Sequence, residues 1–122
     1  MFSVKDFSRQ KIPNLPFKDI KEKILGKDYD LSLVFCGEER SKKINYQFRQ
    51  KNYPADVLSF PLEKDCGEIF ITPLVVLKKK SSRQKYRQRM LHLFIHACLH
   101  LKGMAHSSKM ELEEQKLIKI FK

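Results

Sequence analysis

A helix drawn through residues 89–103, RMLHLFIHACLHLKG, is apolar nearly all the way round. Such a segment cannot rest on a surface and has to run through the middle of a domain. Every other element is constrained by that need, because something must close around it. At 122 residues the chain holds material for one such core and not for two, so residues 1–122 are expected to form a single domain.

The surrounding elements follow from periodicity. Phe17, Ile20, Ile24 and Leu25 recur at helical spacing and Gly26 stops them, which predicts a short amphipathic helix over 17–25. Leu31, Leu33 and Phe35 alternate as in a strand, up to Gly37. A polar helix is expected from Glu38 to Phe48, with Ile44 and Phe48 on its buried side and Arg49 at its C-terminal end. The runs DVLSFPLE and GEIFIT look like two adjacent strands joined by a short polar connection, Lys64 to Cys66. Pro61 confines the first of them to an edge or a strand end, because proline has no amide donor. Pro73 opens another helix. Beyond the apolar helix, Ser108 with Glu111 makes a capping-box signal for a final helix with Met110, Leu117, Ile118 and Phe121 on its apolar side. Helices among strands, followed by an all-helical C-terminal third, indicate an α+β fold.

Lys and Arg number 25 against 14 Asp and Glu, and a net charge of +11 on so short a chain attracts polyanions. The tract from Lys78 to Arg89, KKKSSRQKYRQR, carries seven cations and no carboxylate, and it leads into the apolar helix, where RNA is expected to lie. Tyr86 in the tract, and Tyr46 and Tyr53 near Arg49, are candidates to stack on unpaired bases. Cys36, Cys66 and Cys98 are widely spaced and form no C-x-x-C pair, which argues against a disulfide framework or a thiolate zinc site and suits a reducing cytoplasm. The opening MFSVKDFSRQKIPNLP lacks an apolar core of the length a signal peptide requires. No run approaches the roughly eighteen apolar residues of a membrane span. Neither secretion nor membrane crossing is expected.

Three of the four histidines fall within HACLHLKGMAH, residues 96–106. His96 and His100 stand one turn apart on one helix face. Gly103 tolerates a left-handed C-cap, so the chain can double back and carry His106 toward them. Three neutral imidazoles leave the charge of a zinc ion uncancelled and one coordination position open, the combination that lowers the pKa of bound water to roughly 7. Zinc peptidases of the H-E-x-x-H type keep a glutamate after the first histidine as general base. This chain has Ala97, which disfavours that chemistry. His92, a turn earlier, reads as a supporting or core residue.

The pattern HACLHLKGMAH, with FRQKNYPADVLSFPLE upstream and GEIFIT between, resembles the YbeY family of zinc-dependent endoribonucleases, the rRNA maturation factors. The match runs in order over about residues 30–110. The resemblance implies a mixed sheet of about four strands packed against helices, with the histidine-bearing helix buried at the centre. It implies a single Zn2+ on His96, His100 and His106, and it aligns Arg49 and Glu68 with the family's functional arginine and acidic residue. It further implies a single-strand-specific nuclease that matures the 3′ end of small-subunit rRNA and serves ribosome quality control in the cytoplasm. Its partners would be rRNA, the small ribosomal subunit, and ribosomal or assembly proteins, with no membrane. Two positions depart from the family. Ala97 replaces a glycine, a mild or stabilising change inside a helix. Ala105 stands where the family carries an aspartate, which bears on catalytic rate more than on metal binding. That loss keeps open an alternative, a non-catalytic ribosome-assembly or RNA-binding factor with a structural metal.

Overall fold

The computed structural model describes residues 1–79 and 84–122. In chain order the elements are β1 (Phe2–Asp6), α1 (Phe17–Leu25), β2 (Asp30–Phe35), α2 (Glu38–Arg49), β3 (Val57–Glu63), β4 (Cys66–Ile71), α3 (Pro73–Lys79), α4 (Tyr86–Leu101) and α5 (Ser108–Phe121). The strands form one sheet in the order β1-β2-β4-β3. β2 runs parallel to both β1 and β4, and β3 returns antiparallel along β4. The sheet is therefore mixed and the fold α+β, as the sequence indicates.

Alternation along the strands decides which side chains meet α4. Leu31, Leu33 and Phe35 of β2 and Ile69 and Ile71 of β4 point into one core with residues of α1, α3, α4 and α5. Met90, Phe94, Ile95 and Cys98 of α4 have no exposed surface at all, which makes α4 the central helix its composition demands. Phe17 of α1 meets Phe94 edge-on with ring centroids 5.0 Å apart. On the other face of the sheet Val34, Leu58 and Phe70 gather with Cys36 and Ala55 into a smaller cluster, and Ile44 of α2 packs against it. Pro61 lies in the edge strand β3, with a register irregularity between Pro61 and Glu63, as a residue without an amide donor requires.

Three local expectations need correction. β1 has no counterpart in the reading of the sequence, because FSVKD is short and mostly exposed and shows little apolar pattern. It is held by backbone pairing from Phe2↔Leu31 to Asp6↔Phe35, with the N-terminal ammonium paired to Asp30. α2 does not bury Phe48, which is 59% exposed; its buried residues are Ser41 and Asn45. The Ser41 hydroxyl donates to the Ala55 carbonyl at 3.0 Å and accepts from the Ala55 amide at 2.9 Å, and Asn45 Nδ2 donates to the Tyr53 carbonyl at 2.8 Å. The segment entering β3 has backbone groups that must be satisfied, and small polar side chains do this where phenylalanine cannot. Finally, α5 is capped by Ser107, whose hydroxyl accepts from the Met110 amide at 3.2 Å, one residue before the predicted cap. Among the described residues no helix is long and apolar enough to cross a membrane.

Candidate metal centre

α4 presents His92, His96 and His100 at successive turns, partly open to solvent within a stretch, 90–101, that is otherwise buried. The helix ends in a Schellman turn: the Gly103 amide donates to the His100 carbonyl and the Met104 amide to the Leu99 carbonyl, both at 3.0 Å. Gly103 takes φ +107°, a conformation that side chains resist. This reversal returns His106 to the open face, with its ring centroid 4.9 Å from that of His96 and 5.1 Å from that of His100. One nitrogen from each of His96, His100 and His106 lies within 4.8 Å of the other two. The helix spacing and the glycine turn thus bring together the three residues the sequence singles out.

Hydrogen bonds set the tautomers. His100 Nδ1 lies 3.0 Å from the Met104 carbonyl, which can only accept, so this nitrogen carries the proton. His96 Nδ1 donates to Glu114 Oε1, and His92 Nε2 stands 2.9 Å from Glu114 Oε2. Burial works to raise the Glu114 carboxyl, but the hydrogen bonds from His96 and His92 outweigh it and keep the group below its ordinary value, as a carboxylate. His100 is held below its ordinary value, first by burial and then by the neighbouring His96, so its neutral form is favoured.

With the Nδ1 atoms engaged by Glu114 and Met104, the Nε2 atoms of His96 and His100 face each other across 2.9 Å and are the nitrogens left to share a cation. Nitrogens bound tetrahedrally at about 2.0–2.1 Å to one zinc ion stand about 3.3 Å apart, within the range this cluster spans. The residues therefore fit a divalent metal, and a carboxylate behind a ligating imidazole is the usual means of orienting it. Glu114 escapes the sequence reading: on a surface helix such as α5 a carboxylate is most simply a solvated group. The one available signal is its helical spacing from Met110 and Leu117, which puts it on the buried side.

Two clefts meet at the histidines. One, of about 490 Å³, is lined by Arg49 and by Ser59, Phe60 and Pro61 of β3 together with His96, His100 and His106, and no carboxylate among the described residues lines it. The other, of about 670 Å³, runs between α4 and α5 past Arg89, His92, His96 and His106, and includes Glu111 and Glu114. Arg49 and the three histidines thus share a cleft. Glu68 lies apart from them: Ile69 and Ile71 face α4, so Glu68 and Phe70 point to the opposite side of the sheet, where Glu68 lines a hollow with Asp30 and Ser32. Ala105 is exposed.

The basic tract is only partly described, since residues 80–83 lie outside the described residues. Lys78 pairs with Glu38, and Arg89 Nη2 pairs with Asp56 at 3.2 Å. Tyr86 donates its hydroxyl to the Lys11 carbonyl, and Tyr46 and Tyr53 are exposed but line neither histidine cleft.

The family profile for endoribonuclease YbeY matches residues 4–120. A Pelagibacter ubique protein named endoribonuclease YbeY is 36% identical over 122 aligned residues, covering 88% of this chain and 80% of the relative. One of the same name from a Thermotoga species is 36% identical over 107 residues, covering 81% and 71%. A Thermotoga maritima protein solved in solution superposes with a TM-score of 0.71 at 30% identity, covering 98% of this chain and 87% of the other. Profile, relatives and fold agree with the histidine constellation, and the chain belongs to the endoribonuclease YbeY family.

Proposed function

We propose that the chain is a zinc-dependent, single-strand-specific endoribonuclease that trims the 3′ end of small-subunit rRNA and serves ribosome quality control. As a member of its family it is an endoribonuclease, a hydrolase of phosphodiester bonds. The shared cleft carries the proposal: a three-imidazole group suited to one metal ion and the Arg49 guanidinium line the same carboxylate-free hollow. A zinc ion bound by His96, His100 and His106 supplies a Lewis acid for phosphoryl oxygens and makes hydroxide available near neutral pH.

The protein's own groups do the rest. Glu114 holds the His96 ring with Nε2 toward the centre, and the Met104 carbonyl does so for His100. Arg49 offers a planar pair of donors to a phosphate whose charge grows in the transition state. The absence of carboxylates from that cleft lets a polyanion approach, and the net charge of +11 draws it in. We assign the partners to rRNA, the small ribosomal subunit and its proteins, and the compartment to the cytoplasm, which suits three free thiols.

Ala105 and Ala97 supply no proton acceptor beside the histidines, and this favours a second reading: a ribosome-assembly or RNA-binding factor in which the metal is structural. Precursor small-subunit rRNA, free and in isolated subunits, incubated with the protein separates the two. Cutting that stops with chelator and in His100→Ala supports the nuclease. Cutting that survives both treatments contradicts it, and subunit binding without any cutting supports the second reading.

A further inference from the structure

Phe48 is the residue of α2 whose exposure is hardest to explain by folding alone. Its helix buries Ser41 and Asn45 instead, and leaves this large apolar ring 59% exposed next to Arg49. The ring is not isolated. It lies beside Phe60 at 5.1 Å between centroids, tilted by 50°, and Phe60 in turn meets Phe70 edge-on at 6.0 Å. Phe60 is anchored by this contact to the smaller core, and its stretch of β3 lines the cleft that holds Arg49 and the three histidines. Phe60 pairs across the strands with Glu68, so its ring and Phe48 stand on the α2 side of the edge strand β3, and the supported aromatic pair lies beside the metal cleft, next to Arg49, and not within it.

We infer that Phe48 and Phe60 form a nucleobase-stacking subsite, which receives an unpaired base of the RNA whose phosphate lies on Arg49. The inference rests on the nuclease reading above. The occupant follows from charge: Arg49 lines the cleft without an acidic competitor, and Lys51 follows two residues on in an exposed segment, so a polyanion is the chain that settles there. A base attached to that backbone brings a flat apolar face to an exposed, rigidly backed ring, and stacking of this kind is tolerant of base identity. A base paired in a duplex has no free face to offer. The subsite therefore selects single-stranded RNA at the point of cutting without reading a sequence.

A short single-stranded RNA with one 2-aminopurine, placed at successive positions, tests the subsite through quenching of its fluorescence on stacking. With wild-type protein, quenching is expected at one or two neighbouring positions. Phe48→Leu is expected to abolish that quenching, weaken single-strand binding about tenfold and raise KM by a similar factor with kcat little changed. Phe48→Tyr and Phe60→Tyr keep a stacking ring and should retain both quenching and affinity. Phe48 is exposed, so its variants should fold, and unchanged metal content with an unchanged melt confirms this for each. Wild-type quenching that Phe48→Leu leaves in place, with unaltered affinity, overturns the stacking subsite while the nuclease reading stands. A wild-type protein that binds no RNA overturns both.

Discussion

Replacing Glu114 by glutamine changes one atom of a buried side chain, 5% exposed, yet it disturbs two imidazoles together. The carboxylate accepts from His96 Nδ1 through one oxygen and from His92 Nε2 through the other. Glutamine keeps an acceptor for one ring and turns an NH2 donor toward the second N–H, so one ring must rotate or change tautomer. If His96 yields, its Nε2 lone pair leaves the centre. If His92 yields, the negative charge that makes His96 a better ligand is still lost. Loss of such a supporting contact lowers metal affinity about 10–100-fold, or about 1.4–2.7 kcal/mol. Competition for zinc against a chromogenic chelator measures this directly, with the metal-free melt as the control for folding. Glu114→Asp is one methylene shorter, cannot span both rings, and should fall between glutamine and wild type. Zinc affinity unchanged in a well-folded Glu114→Gln would refute the assigned role.

Arg49→Ala should lower kcat/KM on single-stranded RNA about 100-fold, and Arg49→Lys should recover only part of it, with melts unchanged because the side chain is exposed; equal activity of all three would remove Arg49 from the site. A Cβ added at Gly67 would stand 2.5 Å from the Tyr29 hydroxyl and 3.2 Å from the Phe60 carbonyl, so Gly67→Ala should cost about 1–3 kcal/mol by denaturant titration. Tyr29→Phe in the same background should restore part of that loss. Of the thiols, Cys66 should react with a disulfide reagent in the native protein and Cys36 and Cys98 only after unfolding, since burial encloses both and pushes both thiols up; three fast equivalents would contradict the packing.

What could be read from the residues depended on how local the signal was. His96 and His100 are one turn apart and Gly103 is followed closely by His106, so periodicity and one glycine suffice to gather them. α4 announces its burial by composition, and Pro61 its edge strand by a missing amide. Glu114 is eight residues beyond His106 on another helix, and its role exists only once α5 packs on α4. Phe48 has the spacing of a core residue, but apolar spacing says nothing about which backbone groups across the helix need partners; Ser41 and Asn45 answer that need. β1 is defined by pairing with β2, a tertiary fact with almost no side-chain pattern. The alignment of Glu68 with an acidic family residue could not foresee the strand face on which it falls, away from α4.

The metal content of the purified protein, determined by mass spectrometry for wild type and for His96→Ala, bears most directly on the imidazole cluster. About one equivalent of a divalent metal per chain is expected in the wild type, removable by chelator and restored by zinc, with little or none in the variant. A wild-type protein that takes up no metal when zinc is supplied, or a His96→Ala protein that retains a full equivalent, would contradict the account.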